Sequence, residues 1–142
     1  YVSKNEQYIE KNENNPLILD FYYRYYLYLL NEEKNQKAKT ILNKLYEKQK
    51  ELKAPVYSPF VEMELASYEK ENQNTNAAIV YLENAINDSR RIKPNDRVKI
   101  YYDLIKANEI IKDIEKQKEY IEKCKKVTNA EDSLYKKMCD KM

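Results

Sequence analysis

The chain has 142 residues and a formal net charge of +2, with 26 lysines and arginines against 24 aspartates and glutamates. This length fits one compact domain or a short repeat array, and the near balance of charge argues against a nucleic-acid-binding surface. The absence of glycine and histidine excludes glycine-rich phosphate loops and removes the commonest general base and metal ligand. We therefore expect a protein without catalysis, cofactor or metal site.

Apolar runs in the sequence reach six residues, as in Tyr25–Leu30. A membrane-spanning helix needs about 20, so we expect no membrane contact by this chain. The sequence begins at Tyr1 rather than methionine and ends within a helical pattern, which indicates a fragment of a longer protein. Cytoplasmic and periplasmic locations both remain open, as does the oligomeric state.

Helix start signals recur along the chain. Asn15-Pro16 and Ser58-Pro59 each place a side-chain acceptor before a proline, whose missing N–H costs nothing in the first helical turn. Apolar residues between these signals recur at helical spacing, and no segment alternates as a strand would. The sequence predicts an all-α fold with helices over residues 3–13, 16–31, 36–52, 59–72, 76–92, 96–111, 114–126 and 130–142.

The helical pattern repeats at intervals of 39 and 40 residues. Three residues at these intervals open the apolar row of a first helix: Tyr22, Val61 and Tyr101. Three others do so in the second helix: Ala38, Ala78 and Gln117. Short connections make consecutive helices antiparallel. We expect one domain over residues 1–142, with helix pairs at about 16–52, 59–92 and 96–126 and flanking helices 3–13 and 130–142.

These rows resemble the tetratricopeptide repeat family, in whose pattern a large residue, a leucine, a small residue and a tyrosine are followed by Ala-x3-Phe in the second helix. The resemblance implies a right-handed α-solenoid of stacked antiparallel helix pairs, with about three to four repeats and a concave binding groove. Gln117 replaces the expected alanine, and the period exceeds the family's ~34 residues. A looser array of helical hairpins therefore remains an alternative.

The stretch Ala130–Lys137 resembles the end of the repeat region in sensor and regulatory proteins of Bacteroidetes-type bacteria. In those proteins the array precedes a membrane helix, a histidine kinase or a DNA-binding output domain. This resemblance implies the sensor or regulatory part of a signalling or transcription-regulating protein. The alternative is a scaffold or adaptor that assembles a multiprotein complex. Both functions imply a protein or peptide partner and no nucleic acid bound by this domain.

The resemblance also implies the binding residues, because in tetratricopeptide repeats the first helices line the groove. The matching positions, with one residue near the rim, are Tyr23, Leu27, Glu62, Lys99, Tyr102 and Lys106. Tyrosine offers a large apolar area together with a hydroxyl group, and lysine supplies positive charge. The alternative is a solvated inner face without a ligand.

Other notable residues are interpreted as structural. We expect core tyrosines at positions 22, 25, 26, 68, 81, 101 and 120. The other expected core residues are Ala38, Leu42, Ala78, Leu82, Ile121 and Cys124. Cys124 and Cys139 are 15 residues apart and form no Cys-x-x-Cys pair, so we interpret Cys124 as a buried small residue and Cys139 as exposed. The basic run Lys123–Lys126 is interpreted as solvated helix surface.

Overall fold

The structure is a computed structural model that describes Gln7 and residues 15–88 and 91–142. The described residues form seven helices and no strand. The helices are α1 (Ile18–Asn31), α2 (Asn35–Leu52), α3 (Phe60–Glu71), α4 (Thr75–Asp88), α5 (Pro94–Ile110), α6 (Ile114–Lys126) and α7 (Leu134–Asp140). The predicted helix 3–13 lies, apart from Gln7, outside the described residues. None of the described helices is long and apolar enough to cross a membrane.

The helices pack as sequential antiparallel pairs, which confirms the predicted all-α class at this level. One compact unit ends at Tyr57 and contains the pair α1 and α2. The second unit, Ser58–Met142, contains the pairs α3 with α4 and α5 with α6. Within it α4 packs on α5, and the Tyr120 hydroxyl of α6 donates a 2.6 Å hydrogen bond to Glu83 of α4. Helix α7 packs against α5 and α6.

The turns inside the three pairs share one backbone geometry. Each contains a non-glycine residue with positive φ, and these residues are Glu33 (59°), Gln73 (62°) and Lys112 (61°). In the first turn the Lys34 N–H donates to the Leu29 carbonyl at 2.9 Å, and the Glu33 N–H donates to the Leu30 carbonyl at 3.0 Å. Both bonds recur 40 residues later and again after another 39. This is the Schellman arrangement of a helix end, so the period of the apolar pattern is also present in the backbone.

The core contains most of the residues that the pattern predicts. Ala38, Leu42, Ala78, Leu82 and Cys124 are all buried. Of the predicted core tyrosines, those at 22, 25, 26, 101 and 120 are buried, while those at 68 and 81 are half-buried. The prediction for Ile121 is wrong, because this side chain is only partly buried. Tyr120 and Cys124 form the buried face of α6, and Ile121 lies on its flank.

Helix α7 is shorter than the predicted 130–142. Asn129 has a φ of 62°, which interrupts helical geometry, and the Ser133 N–H closes a turn onto the Ala130 carbonyl at 2.9 Å. The helix therefore begins at Leu134 and ends at Asp140.

The interpretation of Cys139 as exposed is wrong. Its side chain is fully buried and forms a disulfide with Cys124, with the two Cα atoms 6.1 Å apart. The buried Lys136 ammonium donates to the backbone carbonyl of Lys125 and, at 2.9 Å, to the Asp140 carboxylate. One covalent bond and a buried lysine therefore attach α7 to the end of α6.

Candidate functional site

A cavity of about 350 Å³ opens in the unit Ser58–Met142 and is lined by residues of α3, α4, α5 and α7. We name this cavity the groove. Aliphatic and thioether side chains form much of its lining, among them Met63, Leu82, Ile110 and Met138. Pockets for small ligands and side chains combine such an apolar lining with a few polar groups that fix orientation.

One face of α5 supplies the polar side of the groove. Lys99, Tyr102, Asp103 and Lys106 follow one another at spacings of three, one and three residues, and all four line the cavity. Residues at i, i+3, i+4 and i+7 lie on one face of a helix. Leu104, on a different face of α5, is fully buried in the core. The packing of this buried face orients the four polar and aromatic side chains toward the groove.

The Lys99 ammonium is held by two neighbours. It donates to the Asp103 carboxylate at 2.8 Å and lies 5.4 Å from the ring centre of Tyr135. Burial lowers the pKa of Lys99, but the hydrogen bond to Asp103 and the surrounding charges outweigh burial, so the pKa is raised above the ordinary lysine value. Lys99 therefore contributes a fixed positive charge to the groove.

Tyr102 lies between a second tyrosine and a lysine. Its ring is tilted by 50° against that of Tyr135, with the centres 5.3 Å apart. The Lys106 ammonium lies 5.7 Å from the Tyr102 ring centre and 3.9 Å from the Glu109 carboxylate. Because the ion pair with Glu109 is long and both side chains are well exposed, it holds Lys106 only weakly.

Of the six predicted binding residues, the groove brings together Lys99, Tyr102 and Lys106. Glu62 belongs to the same unit but does not line the groove. Its side chain is buried in the first turn of α3, and both carboxylate oxygens accept from the Ser58 hydroxyl at 2.7 Å.

The remaining two predicted residues, Tyr23 and Leu27, belong to the unit that ends at Tyr57. The Tyr23 ring stacks on that of Tyr57, with 4.3 Å between centres and 12° between planes. The Tyr57 hydroxyl donates to the Asp20 carboxylate. Burial and this hydrogen bond raise the pKa of Tyr57 to about 12. Leu27 is 41% exposed.

Sequence reasoning missed the wall of the groove that α7 supplies. Leu134, Tyr135 and Met138 line the cavity from this helix. The apolar pattern predicts only a flanking helix over residues 130–142, so it indicates none of the three as a binding residue. The spacing of Leu134 and Met138 at i and i+4 is a usable signal, because it places these two apolar side chains on one helix face.

A second depression, of about 480 Å³, lies where the start of α5 meets the end of α6. Its lining includes the basic side chains Arg97, Lys123 and Lys126. It contains none of the predicted binding residues, and Val127 is its one aliphatic side chain apart from Pro94. The groove is therefore the better candidate site.

In residues 15–88 and 91–142 no three cysteine, aspartate or glutamate side chains come close enough together to hold a metal ion. Comparison of the chain with protein-family models, curated proteins and solved structures found no match.

Proposed function

We propose that this chain is a non-catalytic binding domain for a protein or peptide, and that the groove is its binding site. One observation carries the proposal. Lys99, Tyr102 and Lys106 are expected binding residues because of their repeat positions, and all three line the same cavity. In this proposal Tyr102 supplies apolar contact area and a hydroxyl, Lys106 supplies positive charge, and Lys99 is held by its ion pair with Asp103.

The proposed architecture is a right-handed solenoid of stacked helix pairs of the tetratricopeptide type. The recurrence of one turn geometry at 39- and 40-residue intervals supports it. The volume of the groove, about 350 Å³, lies near the lower end of the range of roughly 300–1,000 Å³ typical of ligand pockets. A volume of this size suits one or two side chains of a partner rather than a large cofactor.

The proposed biological role is the sensor or regulatory part of a larger signalling or transcription-regulating protein. The contribution of α7 to the groove favours this role, because a ligand against Tyr135 also contacts a helix that packs on both α5 and α6. A scaffold or adaptor is the second candidate. Ile111 (40% exposed) and Ile114 (61% exposed) lie outside the groove and favour it, because exposed aliphatic side chains can contact another protein.

A groove-filling variant tests the proposed site. Ser67 is exposed and lines the groove, so Ser67→Trp fills the cavity without replacing a core residue. Asn76→Trp is the control, because Asn76 is exposed on α4 outside the groove. The probe is a phage-displayed library of random twelve-residue peptides, selected on the parent protein.

We expect the selected peptides to bind Ser67→Trp about tenfold more weakly than the parent, and to bind Asn76→Trp as they bind the parent. Tyr102→Ala should also weaken binding, with little change in melting temperature, since this side chain is only half-buried. Selection of no peptide, or equal binding by all the variants, would show that the groove is not a peptide site.

A further inference from the structure

The charged side chains that line the groove are three lysines and one aspartate: Lys70, Lys99, Lys106 and Asp103. The hydrogen bond between Lys99 and Asp103 satisfies the single acid of this set. Lys70 is exposed in the last turn of α3 and has no ion-pair partner among the residues that the structure describes. Two lysines therefore remain to meet the charge of a ligand, because the ion pair of Lys106 with Glu109 is long and exposed.

The apolar lining continues to the mouth of the groove. Ile110 is 63% exposed and Leu134 is 67% exposed, although both line the cavity. A ligand that filled only the interior would leave these two side chains in water. A longer chain that also crossed the mouth would cover them, and burial of apolar area favours binding by roughly 25 cal/mol per Å².

We infer that the groove binds an acidic peptide segment, whose apolar side chain enters the cavity while flanking carboxylates pair with Lys70 and Lys106. This inference rests on the proposed function and adds the chemistry of the partner. Charge complementarity of this kind chiefly raises the association rate and selects the partner.

A peptide suits these observations better than a nucleic acid, which is also an anion. Binding along a phosphate backbone relies on many lysine and arginine contacts, whereas the groove offers two lysines without a close acidic partner in the described part of the chain. Its interior is mainly aliphatic, with Met63 and Leu82 among the lining residues, rather than a series of aromatic faces for stacked bases.

The test uses the full chain and the phage-displayed twelve-residue library, with selection on the parent and on Lys70→Glu/Lys106→Glu. The control is Lys93→Glu/Lys118→Glu, which makes the same change of charge at two exposed positions outside the groove. Peptides selected on the parent should be enriched in Asp and Glu next to an aliphatic or aromatic residue. The groove variant should bind them about 3- to 30-fold more weakly, and the control should bind them as the parent does.

Binding of a selected acidic peptide should also weaken as NaCl is raised, and its isosteric Asn/Gln version should bind the parent more weakly than the acidic peptide does. Groove-dependent peptides without acidic enrichment would overturn this inference and leave the proposed function standing. If no selected peptide depends on the groove for binding, both this inference and the proposed function are overturned. Tighter binding of a single-stranded oligonucleotide than of any peptide, abolished by Ser67→Trp, would replace the peptide by a nucleic acid.

Discussion

Two tyrosine clusters, one in each unit, differ in charge. In the unit that ends at Tyr57 the cluster is Asp20, Tyr23 and Tyr57; in Ser58–Met142 it is Lys99, Tyr102 and Tyr135. Asp20 and Lys99 are separated by 79 residues, as are Tyr23 and Tyr102. In the first cluster the rings stack at 4.3 Å and the carboxylate accepts from the tyrosine hydroxyl. In the second the rings are tilted at 5.3 Å, and an ammonium lies over one ring.

The difference shows how one charged residue determines whether the hydroxyl groups of a tyrosine pair are used within the protein. Asp20 engages the hydroxyl of Tyr57, so the polar end of that pair is occupied within its own unit. Lys99 contacts the ring face of Tyr135 instead. In the described part of the chain neither Tyr102 nor Tyr135 uses its hydroxyl in a hydrogen bond. The second cluster consequently retains polar groups for a ligand, which agrees with its position in the groove.

The largest loss of stability should come from replacing equivalent leucines of the two units by alanine. Leu42 is fully buried in α2, and Leu82 is 3% exposed in α4. Leu42→Ala and Leu82→Ala should each lower the free energy of unfolding by about 2–5 kcal/mol, because both leave a cavity. Denaturant unfolding measures this loss. A cost below about 0.5 kcal/mol at either position would show that the two helix pairs are not equivalently packed.

Removing the disulfide should lower the stability of the unit Ser58–Met142 alone. Replacing both Cys124 and Cys139 by alanine should destabilise Ser58–Met142 by about 3 kcal/mol, the value expected for a 15-residue loop. Hydrogen exchange should show faster opening of α6 and α7 and unchanged protection of α1 and α2. Dithiothreitol should reproduce this pattern in the parent and have no effect on the variant. A reductant effect on α1 would contradict the assignment of the disulfide to the second unit.

The smallest expected effect is a change in the stability contributed by Tyr57 at alkaline pH. Folding raises the pKa of Tyr57 from 10.0 to about 12, so it favours the protonated phenol. The resulting stabilisation is complete below pH 10 and is lost as the pH rises through about 12. Tyr57→Phe should be less stable than the parent at neutral pH, and this difference should shrink above pH 10. Denaturant midpoints across the pH range measure it, with Tyr135→Phe as the control. A difference that is independent of pH would show that the hydroxyl of Tyr57 is not engaged.

Helix positions and much of the core could be predicted from apolar spacing alone. The observed bounds of α1, α2, α3, α5 and α6 lie within two residues of the predicted ones, because burial of one face imposes the helical period. Lys99, Tyr102 and Lys106 could be placed together for the same reason, since they share a face of α5. Spacing within a helix determines which residues lie side by side.

Contacts between helices were harder to predict. The disulfide joins α6 to α7, and a separation of 15 residues carries no information on whether two cysteines meet in space. The burial of Glu62 differs, because its carboxylate accepts from the Ser58 hydroxyl only four residues earlier, a local contact that the repeat pattern does not contain. Local periodicity cannot reveal that Cys124 meets Cys139, since this depends on how the chain turns between α6 and α7.

The left-handed turns explain why the repeat leaves so little trace in residue identity. Glu33, Gln73 and Lys112 adopt the same conformation with three different side chains, although the conformation costs an L-residue roughly 1–2 kcal/mol. The bonds that hold each turn join main-chain N–H and carbonyl groups, which every residue except proline offers in full. The side chains at these three points can therefore change while the shape persists. The backbone conformation of these turns can therefore be kept while the amino-acid sequence changes, and a comparison of residue identities alone does not detect the turns.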